Sequence, residues 1–379
     1  VSLTHPKYRP DIDGLRALAV LSVVLFHTFP KLMRGGFIGV DIFFVISGFL
    51  ISTIIFQSLA RGEFSFLDFY ARRVRRIFPA LITIMLTSFI AGWFILFPDE
   101  YKQFGQHMMG GALFVSNLVL YKESGYFDTA AEIKPLLHLW SLGIEEQFYI
   151  IFPLVAWLAW RARLNMLSFV TLAGVVSFAL NVSHIEANQV WSFYQPQARA
   201  WELMMGAMLA IFVTDTSGWM NKVGSKMDLY VARLIYRRDV ALEPGLALAN
   251  FKSWLGLALI VYGLSTISKD THFPGKWALL PTVGAALLIW GGPQAFVNKS
   301  LLSNRVAVWF GKISYPLYLW HWPILVFLRI SMGDTPIWFL RVGVIVTSIV
   351  LSWLTYRFIE KPIRFDRSAS QPQSLVLVA

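Results

Sequence analysis

Apolar runs close to the roughly 20 residues that cross a bilayer recur along nearly the whole chain. They fall near residues 15–30, 38–59, 77–97, 138–160, 166–182, 199–214, 254–268, 277–292, 306–330 and 337–359, with a shorter one near 107–121. In hydrocarbon every backbone donor and acceptor must be satisfied within the protein, so a chain of such runs folds as helices. The pattern predicts an all-α polytopic membrane protein. Composition agrees, since 56% hydrophobic residues over 379 and a mean hydropathy of +0.58 exceed what a soluble domain carries. Zero cysteines exclude disulfides, thiolate metal sites and a cysteine nucleophile. The first run has no small-residue cleavage site and reads as a retained helix.

The net charge of +11 comes from basic residues lying between the apolar runs, which points to membrane orientation and not to nucleic acid. Lys7 with Arg9, the Arg72 to Arg76 cluster, Arg161 with Arg163, Lys222 to Arg238, Lys299 with Arg305, and Lys361 to Arg367 are expected on the cytoplasmic side. They share one side only if 107–121 does not span. That segment is therefore read as a re-entrant or interfacial helix on the outer side, leaving about ten transmembrane helices with both ends of the chain cytoplasmic. Eleven spans would put Arg161 and Arg163 outside. The outer side then carries 98–137, with an acidic stretch at 126–132, and 183–198. The longest cytoplasmic loop is 216–252, amphipathic around Leu229 to Tyr236. Residues 1–366 form one transmembrane domain on this reading, and 367–379 are a linker and the start of a further transmembrane helix.

Ionisable residues inside these runs are costly in lipid and mark candidate functional groups. Arg16 and His27 stand eleven positions apart, nearly three helical turns, so they share one helix face about 16 Å apart. His138, Ser141, Glu145 and Tyr149 also fall on one face, as do Ser314, Tyr318 and His321. Asp41 lies near the outer end of the second run, where a carboxylate would orient the His27 imidazole and raise its basicity for general-base work. Glu145 needs a partner or a proton, whereas Glu146 on the neighbouring face serves the helix. Arg199 and Glu202 have the spacing of a buried ion pair. Tyr318 and His321 serve equally as hydrogen bonds between helices or as ligand contacts. Arg72, Arg73, Arg75 and Arg76 precede the third run and form two Arg-x-x-Arg pairs; four in five residues exceed the need for anchoring, and their forks suit an anionic ligand. No Walker loop or zinc-spaced histidine pair is present, and the nearest approach to a nucleophile elbow, residues 139–143, lacks its first glycine.

Several stretches, in order, resemble the acyltransferase family 3 membrane proteins. They are Asp-Gly-Leu-Arg-Ala-Leu-Ala with His27, the run from Gly35 to Ile51, Phe-Tyr-Ala-Arg-Arg-Val-Arg-Arg-Ile-Phe-Pro-Ala, Leu-His-Leu-Trp-Ser-Leu-Gly-Ile-Glu-Glu-Gln-Phe-Tyr, Arg-Ala-Trp-Glu, Ser-Tyr-Pro-Leu-Tyr-Leu-Trp-His-Trp-Pro-Ile, and Tyr-Arg-Phe-Ile-Glu-Lys-Pro-Ile-Arg. The wording is most like the bacterial polysaccharide O-acetyltransferases in which a further helix and an extracytoplasmic SGNH domain follow. The resemblance implies a multi-pass enzyme of the bacterial inner membrane. It would take acetyl from cytoplasmic acetyl-coenzyme A, without a metal, and deliver it to a hydroxyl of an extracytoplasmic carbohydrate or lipid-linked glycan, such as lipopolysaccharide O-antigen. It further implies that Arg16 and His27 are essential, and that the Arg72 to Arg76 cluster is the family's Arg-x-x-Arg element. On this reading His27, Asp41, Arg16 and Glu145 carry catalysis, while Arg16, Arg72, Arg73, Arg75, Arg76, Tyr318 and His321 hold the donor. Two other classes compete: a transporter of an acyl donor or sugar-lipid, and an anchor for the downstream domain.

Overall fold

A computed structural model describes residues 8–124, 131–214, 227–231, 245–333 and 335–365. The described residues are helical throughout, with no strand among them. In chain order the helices are α1 (Pro10–Thr28), α2 (Gly39–Ala60), α3 (Phe66–Ile95), α4 (Pro98–Ala112), α5 (Ser116–Glu123), α6 (Leu139–Arg161), α7 (Met166–His184), α8 (Gln189–Tyr194), α9 (Pro196–Thr214), α10 (Leu246–Thr266), α11 (Leu279–Gly291), α12 (Arg305–Lys312), α13 (Ser314–Met332), α14 (Trp338–Thr355) and α15 (Lys361–Phe365). Among the described residues six helical stretches are long and apolar enough to cross a membrane: Gly36–Ala60, Phe66–Ile95, Leu139–Arg161, Met166–His184, Leu246–Thr266 and Trp338–Arg364. Large apolar side chains such as Ile82, Leu86, Phe89 and Trp93 stay exposed along α3, which is unusual against water and ordinary against lipid.

Three expected elements differ. The segment 107–121 is not one helix but the end of α4 and most of α5, broken where Phe114 takes a positive φ of 57°. There the Val115 amide closes back on the Gly110 carbonyl at 2.8 Å, a helix-ending bond. The run 306–330 is likewise split into α12 and α13. Pro316 can donate no amide to the turn before it, so the first helix stops at Lys312. The arginine cluster lies inside α3 instead of before it, because Ser65 caps the helix by accepting the Asp68 amide at 3.3 Å. Residues 126–130 of the acidic stretch, 216–226 and 232–244 of the basic loop, and 367–379 lie outside the described residues.

The helices pack as two compact units. The first takes the described chain to Phe26, residues 30–60 and the described part of 144–312. Its α2 and α9 are pressed together at glycines: a Cβ added to Gly48 would fall 2.0 Å from the Leu203 carbonyl oxygen, and one on Gly206 would fall 2.2 Å from that of Val45. Gly206→Ala is therefore expected to force the two helices apart and to cost about 1–3 kcal/mol, seen as a lower melting temperature in detergent. The second unit takes His27–Phe29, residues 61–143 and the described residues from 313. Its core is built from Leu81, Ile84, Phe104, Leu139, Leu319 and Phe327, contributed by α3, α4, α6 and α13.

Candidate active site

His27 occupies the last turn of α1, where carbonyls run out of helical donors. Two cations of the second unit supply them. Arg329 Nη2 donates to the His27 carbonyl at 3.2 Å and Arg341 Nη1 to that of Thr28 at 3.4 Å. Both also suit the negative end of the helix.

The His27 ring is fixed as firmly as its backbone. Its Nδ1 lies 2.9 Å from His321 Nε2, with ring centroids 5.2 Å apart and planes differing by 9°. Rings this far apart and nearly coplanar meet edge to edge, as in an imidazole–imidazole hydrogen bond, and do not stack face to face. His321 Nδ1 in turn lies 3.1 Å from the Leu317 carbonyl oxygen. A carbonyl only accepts, so His321 carries its proton on Nδ1 and presents Nε2 as acceptor. His27 must then donate from Nδ1, and the basic lone pair of its neutral ring sits on Nε2. Trp322 meets the His27 ring edge-on, with centroids 4.5 Å apart at 60°. His321 is fully buried, whereas His27 keeps partial exposure.

The remaining polar groups of the second unit brace α13. Tyr318 Oη donates to the His138 carbonyl at 2.8 Å and lies 2.6 Å from Ser141 Oγ. The His138 ring stands 6.0 Å from that of His321, centroid to centroid. On α3, Arg73, Arg75 and Arg76 are partly exposed and Arg72 is exposed. Such a row of forks suits the phosphates of an anionic ligand.

The other sequence-predicted residues belong to the first unit. Arg16 Nη1 stands 3.6 Å from Asp13 Oδ1, one turn back along α1. Asp41 takes a partner other than the predicted imidazole: Arg199 Nη2 lies 3.0 Å from its Oδ1, and Arg199 Nη1 lies 3.0 Å from Glu202 Oε1. All three are fully buried, with the rings of Phe44, Phe193 and Phe273 around the guanidinium. The expected Arg199–Glu202 pair is present, and Asp41 joins it. The stripe on α6 divides in the same way, since Glu145 accepts short hydrogen bonds from Ser47 and Tyr149. His321, expected among the donor contacts, has both nitrogens engaged by protein groups. Trp322, Arg329 and Arg341 were not foreseen, although Trp322 and Arg329 follow His321 at one and eight positions along the same helix. Among the described residues no three metal-ligating side chains cluster.

Comparison with known proteins finds relatives along nearly the whole chain. The chain is 33% identical over 373 residues to the candidate peptidoglycan O-acetyltransferase YrhL of Bacillus subtilis, covering 95% of this chain and 55% of that protein. It is 31% identical over 371 residues to the O-acetyltransferase OatA of Staphylococcus aureus, covering 95% and 58%. It is also 31% identical over 372 residues to the peptidoglycan O-acetyltransferase OatA of Listeria monocytogenes, covering 94% and 56%. The chain thus spans little more than half the length of these curated relatives. No solved structure matches it. Residues 9–357, which include every group described above except the end of the chain, match the model of the family described as Acyltransferase domain; the chain belongs to this family, acyltransferase 3.

Proposed function

We propose that the chain is the membrane-embedded transfer domain of an O-acetyltransferase that moves acetyl from cytoplasmic acetyl-coenzyme A to a hydroxyl of an envelope glycan. The observation that carries the reading is the hydrogen-bond chain from the Leu317 carbonyl through His321 to His27. It leaves a partly exposed imidazole with its basic nitrogen defined, which is what a general base requires. His27 Nε2 takes the proton of the acceptor hydroxyl as that oxygen bonds the acyl carbon and the carbon–sulfur bond breaks, then returns it to the departing thiolate. Arg72, Arg73, Arg75 and Arg76 bind the donor phosphates. His321 acts through His27 and not on the donor. Asp41 works as part of the Arg199 ion cluster, and Glu145 as a hydrogen-bonded anchor of α6.

About ten spans with both ends of this chain cytoplasmic complete the proposal, in a bacterial inner membrane. In that orientation Arg16 lies at the inner boundary and His27 about 16 Å further along α1. The relatives' names favour peptidoglycan over O-antigen as the first acceptor to try. A fused SGNH domain, in the length that the relatives have beyond this chain, would complete delivery.

The tautomer chain has its own test. His321→Leu removes the acceptor for His27 Nδ1 and is expected to lower kcat on the order of 10²-fold, while the donor KM stays within about twofold. His321→Gln offers a carbonyl oxygen in place of Nε2 and should recover much of the rate. Equal loss in both variants would contradict the assigned tautomer.

A further inference from the structure

A second charged cluster of the second unit takes no part in the mechanism above. Lys134 Nζ lies 2.9 Å from Glu123 Oε2, and His107 Nε2 lies 2.9 and 2.8 Å from the two oxygens of the same carboxylate. Lys134 and His107 are buried, and Glu123 is largely so. Burial pushes the Glu123 carboxyl up, but the hydrogen bonds and charges of His107 and Lys134 outweigh this and hold it below the usual carboxylate range. A carboxylate with a lowered folded pKa contributes its full stabilisation above the unfolded value and loses it as pH falls through the folded one. The cluster is therefore intact at neutral pH.

A buried ammonium of this kind is expensive for the fold unless it is paired, and its backbone leads directly to the site. The carbonyl of Lys134 accepts the Trp322 indole N–H at 2.9 Å, and the carbonyl of His138 accepts the Tyr318 hydroxyl at 2.8 Å. Tyr318 and Trp322 are one turn apart on α13 and flank His321, so the two carbonyls grip one face of that helix. Trp322 is the ring set edge-on against His27.

We propose that Glu123, Lys134 and His107 are positioning residues for the transfer reaction: their ion cluster fixes the 134–138 segment, which holds Trp322 and thereby the His27 ring. The proposal rests on the reading of His27 as the base, but its first readout needs no turnover. In the full-length protein, the rate at which diethyl pyrocarbonate modifies His27 is followed by peptide mass spectrometry in Glu123→Gln, in Trp322→Phe, which keeps an aromatic ring but loses the indole N–H, and in the double variant. Each single variant is expected to raise that rate about threefold or more as the site loosens. The double variant should add little, because both changes cut the same link. In acetyl transfer, kcat should fall about tenfold at an unchanged donor KM, with Glu123→Asp recovering part of it. A folded Glu123→Gln whose His27 reacts at the wild-type rate, or a double variant whose effect is the full product of the singles, overturns the proposal. Should Glu123→Gln not fold, Trp322→Phe decides: an unchanged His27 rate there refutes the link. A protein that transfers no acetyl group, yet still shows the shared change in His27 reactivity, would refute the enzymatic reading and leave the positioning intact.

Discussion

Replacing His27 with alanine is expected to abolish acetyl transfer while the protein still inserts and folds. The ring is the partly exposed member of the His27–His321 pair, and its Nε2 carries the lone pair. Loss of a positioned general base costs typically 10²- to 10⁴-fold, which would take turnover below detection in most glycan assays. Folding should survive because the contacts that anchor this end of α1 run from Arg329 and Arg341 to backbone carbonyls, which alanine keeps. The check is acetyl incorporation into glycan beside the amount and melting temperature of the variant. His27→Gln should be nearly as inactive, since an amide cannot take the proton.

Arg199→Leu is expected to have the opposite profile, removing the fold and the activity with it. It leaves Asp41 and Glu202 fully buried without the guanidinium that faces both. Breaking a buried ion pair by deleting one partner costs about 3–5 kcal/mol, a large share of the stability of an ordinary domain. Expression level and thermal denaturation in detergent should both drop. Adding Asp41→Asn and Glu202→Gln to Arg199→Leu should restore much of the loss, because the stranded charges go with the cation. If the triple variant folds but transfers normally, Asp41 has no part in the chemistry.

These two results would separate what the sequence discloses from what only the fold supplies. The eleven-residue spacing of Arg16 and His27 and the three-residue spacing of Arg199 and Glu202 are properties of single helices, and period alone exposes them. The apolar runs likewise announce the helices. Their breaks depend on local backbone chemistry that a hydropathy reading averages away: Pro316 in the first turn of α13, and the positive φ at Phe114 between α4 and α5. The partner of His27 lies 294 positions away, and that of Asp41 lies 158 away. No periodicity carries such contacts, so a nearby carboxylate stood in for His321. The positioning cluster was hidden for another reason. Glu123 and Lys134 sit among polar residues that read as an outer loop, and only packing shows that Lys134 is buried and Glu123 largely so.

Transfer chemistry at His27 is what separates an enzyme from a path or an anchor. Its most direct test is release of free coenzyme A thiol from acetyl-coenzyme A by the purified full-length protein, measured with and without peptidoglycan fragments or O-antigen glycan. Thiol release is expected to depend on one of these acceptors, to be matched by acetyl ester on the glycan, and to be absent in folded His27→Ala. Thiol release that persists undiminished in His27→Ala, or no release with any acceptor from protein that carries donor or sugar-lipid across a vesicle membrane, would contradict it.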